Sequence, residues 1–194
     1  MKKIFLIVLI ILIVLTGFYF FKPVKTIRIQ PLGTVSPEYL ARVKKSIKSF
    51  YGYECVVMPQ QEITNDMLSP IKGRVDADWA LFWNFTFDNF LLITEKEICT
   101  YESRKNPEWG ILGKGVWYGR TCIVSTCLLK KDVSKHKALE RLEKVVLHEI
   151  GHNLGLDHCV NDKKCMMHDA NGKIKQVDRE KIWFCDKCKA QIIN

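Results

Sequence analysis

The chain has 194 residues, 30 Lys+Arg against 21 Asp+Glu for a formal net charge of +9, and 47% hydrophobic residues. Those proportions exclude disordered and low-complexity chains, and 11 Gly and 6 Pro exclude collagen-like and proline-rich ones. Eight Cys are too few at this length for a disulfide miniprotein, which leaves a basic globular domain with a distinctive start.

That start is Met1 to Phe21. Lys2 and Lys3 precede an uncharged run from Ile4 to Phe21, and charge resumes at Lys22. As a helix the run would span about 27 Å, near the hydrocarbon thickness of a bilayer and longer than the usual core of a cleaved signal. No A-x-A site follows it, and Phe18 to Phe21 resemble an interfacial aromatic belt. Residues 1–21 therefore read as an uncleaved membrane anchor, with a cleaved signal and a secreted domain as the alternative. Lys2 and Lys3 favour a cytoplasmic N-terminus and a domain outside the cytoplasm. Residues 22–194 keep a charge of +7, which suits acidic partners or simply a solvated lysine-rich face.

Thr26 to Gln30 alternates as a strand does. Ser36-Pro37-Glu38 opens a helix whose apolar positions Leu40, Val43, Ile47 and Phe50 run to a stop at Gly52. Tyr53 to Met58 reads as a second strand. Trp79 to Phe87 is apolar and rich in β-formers, which predicts a central strand. Gly110 to Val116 and Thr121 to Leu129 predict two more. From Ser134 to Leu154 a stripe of Leu139, Leu142, Val145, Val146 and Ile150 predicts a long helix, and Gly155 stands where it would end. The remainder is short and poor in aliphatic periodicity, so it needs a staple.

Residues 148–158 read H-E-x-x-H-x-x-G-x-x-H. His148 and His152, four apart on a helix, share one face and can reach one ion, and Gly155 lets the chain turn so that His158 adds a third nitrogen. Three neutral ligands leave one position open for a catalytic zinc, with Glu149 beside it as general base. Downstream, Cys159, Cys165 and the pair Cys185 and Cys188 suit a closed, structural second zinc. Two disulfides or buried thiols are the other readings, and the C-x-x-C pair with Cys159 directly after His158 favours metal. Met167 is placed to pack beneath the histidines without ligating. Of the other cysteines, Cys122 and Cys127 fall five apart on one predicted strand and cannot bridge each other, while Cys55, Cys99, Cys122 and Cys127 read as buried thiols with a Cys55–Cys127 disulfide possible. His136 reads as solvated near the helix start, and His168, directly after Met167, as a surface residue with an approach to the site as the alternative.

The block from His148 to Cys188 resembles the archaemetzincins, zinc metallopeptidases of the metzincin group. Their pattern is the extended histidine motif followed at once by Cys, then C-x-Met, then 17 residues and C-x-x-C. His158-Cys159, Cys165-Met166-Met167 and Cys185-Asp186-Lys187-Cys188 match it, with five residues between Cys159 and Cys165 where the pattern has four. Gly119 to Ser125 is similar to the family's last strand before the active-site helix. The resemblance implies an α+β fold. Its upper part, 26–155, would carry a twisted, mostly parallel sheet and the active-site helix, and its lower, Cys-rich part would be 156–194. It also implies that Gly110 to Val116 is an edge strand along which a peptide lies. The expected function is hydrolysis of peptide or protein substrates with two zinc ions per chain. The alternatives are a membrane-tethered zinc module without activity and a zinc-ribbon nucleic-acid binder. A nucleic-acid partner is not expected, because the Cys segment lacks a dense basic helix with aromatics.

Overall fold

The computed structural model describes residues 25–84, 89–101 and 108–192. The proposed anchor at 1–21 lies outside the described residues, and among those described no helix is long and apolar enough to cross a membrane.

The centre is a five-stranded sheet built from β1 (Thr26–Leu32), β2 (Glu54–Val57), β4 (Asn89–Thr94), β7 (Gly113–Gly115) and β8 (Thr121–Ser125), in the order β2-β1-β4-β8-β7. Every pairing is parallel except β7 with β8, which is antiparallel. Parallel strands need crossovers that cover the sheet, and their strands then read as unbroken apolar runs. Leu91, Leu92 and Ile93 in β4 and Ile123 and Val124 in β8 are accordingly fully buried. Helix α1 (Pro37–Tyr51) and the long helix α3 (Lys135–Asn153) pack against one face through Val43, Ile47, Leu142 and Val146. The short helix α2 (Ala77–Trp83) covers the other through Ala80 and Leu81. A second sheet, β3 (Val75–Asp76), β5 (Ile98–Thr100) and β6 (Trp109–Ile111), lies beside it. Two short helices, α4 (Ile174–Arg179) and α5 (Asp186–Ile192), complete the C-terminal segment.

The expected α+β fold and mostly parallel sheet are present, as are both long helices. Gly52 ends α1 in the left-handed region (φ 71°), its N–H on the Lys48 carbonyl. Ser36 caps differently from expectation: its side chain makes no cap, and its N–H donates to Glu95 Oε1 at 2.8 Å.

The described residues of Trp79 to Phe87, which are 79–84, form no strand. Up to Trp83 they belong to α2, because the Asp76 carboxylate accepts from the Trp79 N–H at 3.0 Å and Ala77, Ala80 and Leu81 bury one helical face. Phe82 and Trp83 are left exposed. The central strand is instead Asn89–Thr94. Gly110 to Val116 is split: Ile111 pairs with Ile98 in one sheet and Gly113 with Val124 in the other, so the edge strand is only Gly113–Gly115. The last strand stops at Ser125, which places Cys127 beyond it. All eight cysteines are free thiols, so the Cys55–Cys127 disulfide does not form.

Arg141 joins α3 to α4. It is 6% exposed, forks onto both Asp178 oxygens at 2.9 and 2.8 Å, and donates to the Leu129 carbonyl at 3.1 Å. Removing the acid leaves a buried guanidinium half-paired, so Asp178→Ala should lower unfolding stability by about 2 kcal/mol in denaturant titrations.

Candidate active site

Helix α3 starts at Ser134, whose hydroxyl accepts from the Lys137 N–H at 3.3 Å, and carries His148 and His152 on adjacent turns. Its end is set by Gly155 at φ 89°. The Gly155 N–H donates to the His152 carbonyl at 2.9 Å and the Leu156 N–H to the Gly151 carbonyl at 3.0 Å, the paired bonds of a Schellman stop. A Cβ at Gly155 would lie 2.2 Å from the Tyr118 ring, so the position needs glycine for space as well as for its backbone angle. The Trp117 indole donates to the Gly155 carbonyl at 3.1 Å and holds the turn from outside.

The turn returns the chain so that three imidazoles converge. Ring centroids lie 4.7 Å apart for His148 and His152, 4.8 Å for His152 and His158, and 5.4 Å for His148 and His158. His148 Nδ1 is 2.6 Å from the Met166 carbonyl and His152 Nδ1 is 2.8 Å from the Leu156 carbonyl. A carbonyl only accepts, so both Nδ1 atoms carry the proton. Burial, then the neighbouring His152, pulls His148 down to about 3, and burial also lowers His152, so both rings are neutral near pH 7. Their Nε2 atoms then present bare lone pairs to one another at 3.0 Å. Two lone pairs so placed repel unless a cation lies between them, and three such nitrogens suit zinc. The His158 Nδ1 faces Asp169 Oδ2 at 3.8 Å, a carboxylate partner of the kind that orients a ligating ring.

Glu149 is 6% exposed and points under β7. Its carboxylate accepts from the Gly115 N–H. Burial raises it to about 8, opposed by that bond and by Lys114. The strand can cross the helix this closely only because its inward positions lack side chains. A Cβ on Gly113 would sit 2.6 Å from Glu149 Oε1, and one on Gly115 would sit 2.5 Å from the Glu149 carbonyl oxygen and 2.9 Å from His152 Cβ. Lys114 between them faces the other way, onto Asp78 and, at 2.7 Å, Thr100 Oγ1.

Below the histidines, Met167 is fully buried, and a Cβ on Gly151 would lie 2.5 Å from its Sδ. The Met167 carbonyl accepts from the Cys159 N–H at 2.7 Å, tying this turn to the chain that carries His158. Cys159, Cys165, Cys185 and Cys188 form one buried cluster with every Sγ within 4.8 Å of the others. Cys159–Cys185 and Cys185–Cys188 are 3.6 Å apart and Cys165–Cys188 is 3.8 Å. A tetrahedron of thiolates around zinc has edges of about 3.8 Å, whereas a disulfide is about 2.05 Å. The four residues therefore fit a closed zinc site. Burial pushes the Cys165 and Cys188 thiols up; at Cys159 burial is outweighed by the Asp162 and Asn161 N–H groups and the neighbouring thiols, and its pKa is lowered. His136 is exposed, as expected. His168 is half-buried, and its Nδ1 stands 2.8 Å from the Cys159 carbonyl, which corrects the surface reading.

A cleft of about 390 Å³ runs between β7, α3 and the 169–172 segment, with the imidazoles and Glu149 on its floor. Sequence reasoning passed over Gly113, Gly115, Trp117, Asp169 and Glu180, all on its walls. The alternation G-K-G was the available signal for the first two. Asp169 and Glu180 had none, because turns and loops bring them in.

A helix with two metal-ready histidines, a third after a glycine turn and a buried methionine beneath, under a mixed sheet with an edge strand, defines a metallopeptidase of the metzincin kind. Residues 33–194 match the profile of Peptidase family M54, and the chain belongs to that family. It is 32% identical over 170 residues to the archaemetzincin of Methanocaldococcus jannaschii, covering 82% of this chain and 88% of that protein. It is 27% identical over 177 residues to the archaemetzincin of Halobacterium salinarum, covering 84% and 97%. Its fold matches the crystal structure of the Archaeoglobus fulgidus archaemetzincin complexed with malonate (TM-score 0.76, 26% identity, 86% of this chain and 99% of that one). It also matches the fold of the Methanopyrus kandleri protein (TM-score 0.73, 22% identity, 89% and 97%). The protein is thus a zinc metallopeptidase.

Gly113→Ala tests the close approach of strand and helix. The added methyl should displace the Glu149 carboxylate and lower peptide hydrolysis about 10²- to 10⁴-fold while zinc content, read by elemental analysis, stays at the wild-type value.

Proposed function

We propose that the enzyme hydrolyses peptide bonds with Glu149 as general base, on a catalytic zinc held by His148, His152 and His158. A second, structural zinc is held by Cys159, Cys165, Cys185 and Cys188. The observation that carries this reading is the pair of neutral Nε2 atoms at 3.0 Å, each ring locked by a carbonyl on its far side. Zinc, when bound, polarises the scissile carbonyl and lowers the pKa of water. Glu149 takes the proton of the attacking water and passes it to the leaving amine. A nearby dication also lowers the carboxyl of Glu149 from its buried value, making it a base near neutral pH. Among the described residues β7 is the last strand of its sheet and lies beside the cleft, so an extended peptide can add to its outer edge by main-chain hydrogen bonds. The cysteine cluster is buried, with no position for substrate, and it clamps the segment after Gly155. That burial weighs against a zinc ribbon reading nucleic acid. We infer further, from the sequence alone, that residues 4–21 anchor the enzyme in a membrane with the domain outside the cytoplasm. Intact mass of membrane-purified protein should retain Met1; a mature start near Phe18 would show a cleaved signal.

Glu149→Gln should reduce hydrolysis by about 10²–10⁴-fold with metal content unchanged, and near-wild-type activity would refute the assignment. Chelation should stop hydrolysis first and reversibly, because the open ion is accessible. Release of the second ion should need acid or a thiol reagent and should unfold the C-terminal segment. Cys185→Ser should therefore cut soluble yield more than His152→Ala does.

A further inference from the structure

The chain is basic, yet the charges along its cleft are mostly acidic. Besides the imidazoles, Glu149, Asp157, Asp169 and Glu180 line it against one cation among the described residues, Lys114, whose Nζ is already engaged by Asp78 and Thr100. Glu149 serves the reaction and Asp169 faces His158. Glu180 has no part in the mechanism, and it is the unusual group. It follows the last residue of α4 and is 5% exposed. Oε1 accepts from Gln176 Nε2 at 3.2 Å, and among the described residues no salt bridge reaches it. The neighbouring cation, Lys144, has its Nζ on Glu140 Oε1 at 2.7 Å and on the Val177 carbonyl at 3.1 Å. Burial holds the carboxyl near 8, opposed by Gln176 and Lys144 and reinforced by Asp169, so it is largely protonated at neutral pH until a cation meets it and draws it into the ionised form. A buried carboxyl without a cation is costly, and such groups are retained where something charged comes to meet them.

Three aliphatic side chains that pack together line the same cleft as Glu180. Val145 lies one turn before His148 on the same face of α3, and Val177 and Ala170 come from the C-terminal segment. Apolar walls ending in a carboxylate match a side chain with a long hydrocarbon stem and a cationic tip.

We propose that Glu180 makes this end of the cleft a subsite for a lysine or arginine side chain adjacent to the scissile bond, so that the favoured substrates are basic peptides. The inference rests on the peptidase reading above. A Leu side chain would fill the aliphatic walls but leave the acid unpaired, and a Gln would supply a weaker neutral bond.

The test uses the full chain and a peptide whose cleaved bond has been located by mass spectrometry with the wild-type enzyme. Lys, Arg, Gln and Leu are placed in turn at each residue flanking that bond. Affinity is read by fluorescence anisotropy on Glu149→Gln, which binds without turnover. At one flanking position Lys and Arg peptides should bind roughly 10- to 100-fold tighter than Leu, the range of one charged hydrogen bond. Adding Glu180→Gln should bring that ratio close to one, and Glu180→Asp should keep part of it. Equal binding, a preference for Leu or Gln, or an undiminished ratio in Glu180→Gln would overturn the proposal. Wild-type cleavage of all the peptides alike would remove the subsite and leave the peptidase standing. Failure of the wild type to cleave any peptide would remove both.

Discussion

Two neutral imidazoles on successive turns of α3 aim their lone pairs at each other, and the rings are fixed there by carbonyls that belong to the chain beyond the helix. The His148 partner is Met166 and the His152 partner is Leu156. The ligand geometry and the path of the C-terminal segment are therefore one problem. If the segment comes loose, the rings lose their orientation; without a cation between them, the two bare nitrogens would repel. Met167 fills the space under Gly151, and its carbonyl holds Cys159. The cysteine cluster is the other end of the same tether. On the proposed assignment, His158 and Cys159 give neighbouring side chains to different ions, so the two metal sites share one stretch of backbone.

The sheet supplies the second constraint. β8 and the stretch Leu91–Thr94 of β4 are buried on both faces, and β8 carries β7 over the active-site helix as an antiparallel edge. The helix and strand are close enough for a backbone N–H to reach Glu149 because Gly113 and Gly115 face inward. Asn153 at the end of α3 donates to the Val116 and Thr121 carbonyls, both at 2.8 Å, and so fixes the strand turn against the helix end. An extended peptide on that edge would lie across the open side of the imidazoles.

The site was more legible than the fold. Histidines spaced by helix geometry, a glycine that must turn the chain and paired cysteines are local signals whose chemistry restricts them to few arrangements. Helix α3 and helix α1 were legible for the same reason: periodic burial, with Gly52 and Gly155 as stops. Trp79 to Phe87 misled because aromatic residues favour strands on average, while Asp76 and two small alanines decided the local outcome in favour of a helix. The true central strand, Asn89–Thr94, has an unbroken apolar run that periodicity cannot separate from its surroundings. Gly110 to Val116 was read as one strand because nothing local marks Leu112 as the point where the chain passes between sheets, its carbonyl taking the Ser125 N–H at 2.9 Å. Glu180 was illegible, since only the turn after α4 brings it to the wall of the cleft.

The central claim is that one chain holds two zinc ions in chemically different cages. Elemental analysis combined with zinc-edge X-ray absorption on the purified full-length protein tests it directly. The account predicts two zinc ions per chain, with an average shell containing sulfur at about 2.3 Å and nitrogen or oxygen at about 2.0–2.1 Å in comparable amounts. One zinc per chain with no sulfur shell, and Cys159, Cys165, Cys185 and Cys188 recovered as disulfides, would contradict it.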